Sequence, residues 1–104
     1  VNHSAAKWTF AVPNGFLKSK ASRIRAWKEG VISGVSDLCT PFPSQGFHGL
    51  WLEFKVRPNT PTDEQLKFGL AMQQHGYMYR VVYSWQEALE VWCSYVGIRV
   101  DVHV

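Results

Sequence analysis

Gly49-Leu50-Trp51-Leu52-Glu53-Phe54-Lys55-Val56 alternates apolar and polar side chains, the mark of a half-buried strand with a period of two. Leu50, Leu52, Phe54 and Val56 fall on one side, and Trp51, Glu53 and Lys55 on the other. Upstream, Gly34-Val35-Ser36-Asp37-Leu38-Cys39-Thr40 reads as a partner strand. Pro41, Pro43, Ser44, Gln45 and Gly46 supply the turn chemistry between them. A hairpin centred on Gln45 sets Asp37 opposite Glu53 and Val35 opposite Lys55. Directly opposed residues have Cβ atoms ~5 Å apart, so two carboxylates could reach one cation. Two anions that close repel unless a positive charge lies between them. A divalent metal ion is the simplest such charge.

Outward from this hairpin the punctuation is regular. Lys7 to Val12 is expected to form a strand that stops at Pro13-Asn14-Gly15. Lys18 to Glu29 is expected to be a helix with Ala21, Ile24 and Trp27 inward, closed by Gly30. After the hairpin, Thr60 suits an N-cap and Pro61 the first helical position, with Asp63 and Glu64 complementing the helix dipole. That helix should run to about His75 and end at Gly76. Tyr77 to Tyr83, rich in aromatics and Val, reads as a strand. Ser84 and Glu87 form a capping-box pattern for a last helix with Leu89, Trp92 and Val96 inward and Gly97 as its stop. The tail from Ile98 to Val104 alternates and suits an edge strand or a pairing segment. The expected order is β-α-β-β-α-β-α, an α/β or α+β mixed sheet flanked by helices.

A chain of 104 residues forms one domain with a modest core, and its 46% hydrophobic content argues against disorder. No apolar run approaches the ~20 residues of a membrane span, and no signal-peptide pattern opens the chain. Cys39 and Cys93 lack metal or redox spacing, so reduced thiols in a cytoplasmic protein are the expectation. The net charge of +3 hides an asymmetry. Residues 1 to 28 hold six Lys or Arg and no acid, while the remainder holds five basic and eight acidic residues. A basic N-terminal quarter suits a polyanionic partner, because clustered cations gain affinity for phosphates by releasing counterions. A solvated helix face accounts for the same charges equally well.

Asp37, then Glu53-Phe54-Lys55, then Thr62-Asp63-Glu64-Gln65 resemble the D…ExK…Q signature of the PD-(D/E)xK nucleases. More narrowly, the chain is similar to the virus-type replication-repair nuclease (VRR-NUC) domain in its small stand-alone phage and bacterial forms. The likeness spans nearly the whole chain, including Phe10 to Gly15, Gly76-Tyr77, and Ser84 to Ala88 at the start of the last helix. The order of elements carries it more than the ExK spacing does. Ser36 stands where the superfamily name has Pro, at a position that supplies no metal oxygen. The family's further acid, on a helix before the first strand, has no counterpart here. With Val1 in place of Met, the expectation is a truncated N-terminal helix.

The resemblance implies a restriction-endonuclease-like fold and a Mg²⁺- or Mn²⁺-dependent endonuclease for branched DNA such as Holliday junctions, acting as a homodimer. Asp37 and Glu53 are the expected carboxylate ligands, and the resemblance adds the Phe54 carbonyl. Lys55 is expected to polarise the attacking water or stabilise transition-state charge, and it also serves as a counter-ion for Glu53. Gln65 has two open readings, a helix cap or a group that reaches the site. Lys18, Lys20, Arg23, Arg25 and Lys28 are the expected phosphate contacts, with Lys20, Arg23 and Arg25 foremost. Asn14 reads first as a turn residue and second as a contact to the substrate strand. His48 reads as a turn histidine, Cys39 as a small buried hydrophobe, and the tryptophans as core or interface. Trp51, beside Glu53, is the possible exception. The rival to an enzyme is an inactive nucleic-acid-binding module with the same fold.

Overall fold

The computed structural model describes residues 4–12 and 34–97. A 3₁₀ turn, Ser4–Trp8, leads into β1 (Phe10–Ala11). Then come β2 (Leu38–Thr40), β3 (Leu50–Phe54), helix α1 (Asp63–Gln74), β4 (Met78–Val82) and helix α2 (Trp85–Val96). The four strands form one sheet in the order β1-β2-β3-β4. β1 and β3 each run antiparallel to β2, and β4 runs parallel to β3 after the crossover through α1. The architecture is therefore α+β with a mixed sheet. The expected helix over 18–29 and the expected tail strand over 98–104 lie outside the described residues.

The hairpin register is the expected one. Leu38, Cys39 and Thr40 face Leu52, Trp51 and Leu50, which extends by one residue to Asp37 opposite Glu53. The partner strand is shorter than expected, because at Asp37 the side chain replaces the backbone as acceptor for the Phe54 N–H. Gly34, at φ +84°, itself lies against Glu64 in the first turn of α1, where a Cβ would sit 2.5 Å from a carbonyl oxygen. The first strand is also shorter than expected. Residues 4–8 coil instead, with the Thr9 hydroxyl donating to the Ala5 carbonyl and Ala5 fully buried.

Among the described residues, each face of the sheet carries one helix. α2 covers the face of Leu50, Leu52 and Val82 with Ala88, Trp92, Cys93, Tyr95 and Val96. The Trp92 indole N–H donates to the Thr40 hydroxyl at 2.9 Å, so the largest core ring keeps its donor satisfied. Leu89, expected inward, is 41% exposed on the flank of α2. Ser84 caps α2 by accepting from the Glu87 N–H at 3.0 Å, and Gly97 closes it at φ +87°.

α1 lies on the other face, where Phe68 meets Trp51 edge-on with ring centroids 5.0 Å apart. This helix starts two residues later than expected. Its N-cap is Thr62, not Thr60, because Thr62 and Gln65 satisfy each other's backbone N–H groups in a reciprocal capping box. Close approach depends on Gly69, the buried residue of α1, where a Cβ would stand 2.6 Å from the Tyr79 ring. Gly69→Ala should therefore destabilise the protein. The ~1 kcal/mol gained in helix propensity is smaller than the ~1–3 kcal/mol cost of overpacking. Urea unfolding would show a lower midpoint, and an unchanged or higher one would mean that the Tyr79 ring gives way freely.

Candidate active site

Strand parity builds the site. The Phe54 N–H points to the β2 side, at Asp37 Oδ2, and the Lys55 N–H points to the β4 side, at the Val82 carbonyl. Even-numbered residues of β3 thus turn their backbone groups toward β2. Odd-numbered ones sit in non-hydrogen-bonded pairs with β2, where opposed side chains come closest. Asp37 and Glu53 occupy such a pair. The Phe54 carbonyl shares its residue's N–H edge and so also turns toward Asp37.

These groups gather at the carboxyl end of β3, beyond which Lys55 leaves the sheet half-buried. Glu53 is 1% exposed, beneath the face that α1 covers. An ionised carboxylate so enclosed is costly, and the Glu53 pKa is pushed up to about 8. Burial is the main cause. A proton shared with the Asp37 carboxyl and repulsion from its charge add to it, while the Lys55 ammonium acts in the opposite sense. Glu53 Oε1 has no hydrogen-bond partner. A buried carboxyl opposed to a second carboxylate is the arrangement that a cation would relieve.

The donor set is hard. Two carboxylates and a strand carbonyl suit Mg²⁺ or Mn²⁺, which take oxygen ligands and keep several waters. Among the described residues no three His, Cys, Asp or Glu side chains form a cluster, and of these residues Asp37 and Glu53 would be the two carboxylate ligands.

The other expected residues distribute as follows. Gln65 is engaged in the cap, its Oε1 accepting from the Thr62 N–H at 2.8 Å. His48 sits before β3, at the end of the strand remote from Glu53, with its ring edge-on to Tyr77. Trp51 is half-buried against Phe68 rather than presented for stacking. Cys39 is buried, and burial pushes its thiol up to about 11, which leaves it inert near neutrality. Asn14, Lys18, Lys20, Arg23, Arg25 and Lys28 lie outside the described residues.

Two groups at the site escaped the sequence reading. Ser36, treated as a silent replacement, is fully buried, and Tyr79 reaches the same face from β4. Both hydroxyls are buried without partners. The signal for Tyr79 was its parallel pairing with Trp51, which periodicity within one strand does not reveal.

Among solved structures, the chain is similar to a VRR_NUC domain protein, with a TM-score of 0.73 and 20% identity over 88% of this chain and 70% of the other. No family model matches the chain, and no curated protein matches it. At that identity the likeness establishes the fold, a nuclease-like α+β sheet, and agrees with the resemblance carried by Asp37, Glu53-Phe54-Lys55 and Gln65.

Proposed function

We propose that this chain, folded as a VRR_NUC domain protein is, works as a divalent-metal-dependent endonuclease that hydrolyses DNA phosphodiesters. The observation that carries the reading is Asp37 and Glu53 opposed across two strands, with Lys55 on the same face. In this reading Asp37, Glu53 and the Phe54 carbonyl hold Mg²⁺ or Mn²⁺. The ion supplies Lewis acidity at the phosphoryl oxygens and lowers the pKa of a water.

The chain's own groups do the rest. Asp37 is held by the Phe54 N–H at 2.9 Å, which orients its carboxylate before any ligand arrives. Lys55 places an ammonium near Glu53, where it steadies negative charge developing on the phosphoryl group or orients the attacking water. Lys18, Lys20, Arg23, Arg25 and Lys28, with Asn14, are the proposed contacts to the DNA backbone. They position the strand rather than read its sequence. Branched DNA, including four-way junctions, is the proposed substrate, and a homodimer the proposed assembly. Symmetric paired cuts need two sites, which C2 symmetry supplies economically.

A cleavage panel on junction, flap, nicked and linear duplexes with Mg²⁺, Mn²⁺ or EDTA tests this, with particle mass measured alongside. Metal-dependent cutting that favours branched DNA is expected. Cutting in EDTA, or none with either metal, would overturn the proposal.

The rival reading is a nucleic-acid-binding module without turnover. It draws on Gln65, whose side-chain oxygen is committed to the helix cap. Buried Glu53 weighs against it, since a phosphate binder gains nothing from two enclosed anions.

A further inference from the structure

Behind the paired acids lies a polar cluster that the proposed chemistry does not use. Glu53 Oε1, the Tyr79 hydroxyl, the Trp51 indole N–H and the Ser36 hydroxyl are each shielded from solvent and each without a hydrogen-bond partner. The sheet brings three of them together. Trp51 faces Tyr79 across the β3–β4 ladder, and Glu53 follows two residues on, on the same face. Such diagonal neighbours lie within reach of an aromatic side chain. Ser36 joins from the segment before Asp37, close enough for its hydroxyl to influence the Tyr79 phenol. Gly69 lets α1 close over the Tyr79 ring, which confines the phenol to this spot.

A buried polar group without a partner costs roughly 1–3 kcal/mol, so a set of them on one face of the sheet calls for a common solution. Their capacities are complementary. The indole donates, the carboxylate accepts, and the two hydroxyls do either. An internal water makes about three hydrogen bonds to such groups, and this set offers it both donors and acceptors.

We propose that Ser36, Trp51, Glu53 and Tyr79 enclose an internal water, and that Tyr79 is a positioning residue holding Glu53 Oε1 through it. The inference rests on the reading of Asp37 and Glu53 as cation ligands. A carboxylate tethered at one oxygen presents the other in a single direction, here toward Asp37. Losing such an outer partner typically costs about 10–100-fold in metal affinity or activity.

Tyr79→Phe tests this by removing the hydroxyl and keeping the ring. The expected result is about tenfold weaker Mn²⁺ binding by calorimetry and about tenfold lower kcat, with KM for DNA unchanged. The thermal midpoint of the metal-free protein should fall only slightly, since a single water-mediated hydrogen bond has gone. Ser36→Ala should act in the same direction, and the double variant should lose less than the product of the two. If Tyr79→Phe does not fold, Ser36→Ala carries the same measurements. Wild-type Mn²⁺ affinity and kcat in these variants overturn this inference and leave the carboxylate reading intact. A wild-type protein that neither binds Mn²⁺ nor cuts DNA overturns both.

Discussion

Asp37→Asn is expected to lose about a thousandfold or more in DNA cleavage, the equivalent of roughly 4 kcal/mol of transition-state stabilisation, while keeping its fold. The choice of Asn matters. Asp37 Oδ2 accepts the Phe54 N–H at 2.9 Å, and an Ala there would strand a backbone donor at the end of β3. Asn keeps an acceptor of the same shape and removes the charge. The loss would then belong to the missing anion rather than to a disturbed strand. DNA binding should survive, because the proposed backbone contacts are the basic residues of the N-terminal quarter. Cleavage rates and gel-shift affinities measured side by side check this. An Asp37→Asn protein that cuts at the wild-type rate would remove Asp37 from the site.

Glu53→Gln should show a second large effect, one that depends on pH even without metal. With its pKa raised from 4.5 to about 8, Glu53 binds a proton in the folded state at pH values where the unfolded chain has released it. Below about 4.5 the group is protonated in both states and alters nothing. As pH climbs from there toward 8, the unfolded chain ionises first and stability falls, and above about 8 the full penalty is present. Gln carries no such penalty. Metal-free Glu53→Gln should therefore match the wild type near pH 4 and exceed it in thermal stability at pH 8 and above. The same linkage predicts that Mn²⁺ stabilises the wild type increasingly as pH rises, because a bound cation displaces the Glu53 proton. In Glu53→Gln that stabilisation should be weak at every pH. Melting curves from pH 4 to 9, with and without Mn²⁺, give both answers. A wild type whose stability rises steadily across that range would contradict a buried, proton-retaining Glu53.

Much of this architecture is written locally. The alternation from Leu50 to Phe54 and the turn residues around Gln45 specify the hairpin, and with it the pairing that sets Asp37 against Glu53. Both are short-range effects, a period of two and a turn of defined length. Gly76 and Gly97 mark positive-φ positions that few other residues adopt, so the ends of both helices were legible. Where two local solutions compete, the sequence is silent about the winner. Thr60 and Thr62 are both competent caps. Thr62 prevails because Gln65 stands three residues on and returns the hydrogen bond.

Local pattern alone specifies the strand carrying Glu53 and Lys55, its antiparallel partner carrying Asp37, and the register between them. What surrounds those acids depends on how distant elements pack. Periodicity reports that Trp51, Glu53 and Lys55 share a face, but not that α1 covers it, nor that β4 lies parallel alongside and delivers Tyr79. Burial of Glu53, and the displaced ionisation that follows from it, arise from contacts between residues distant in the chain. A pattern of nearest neighbours cannot encode a desolvation that depends on which helix closes over which strand.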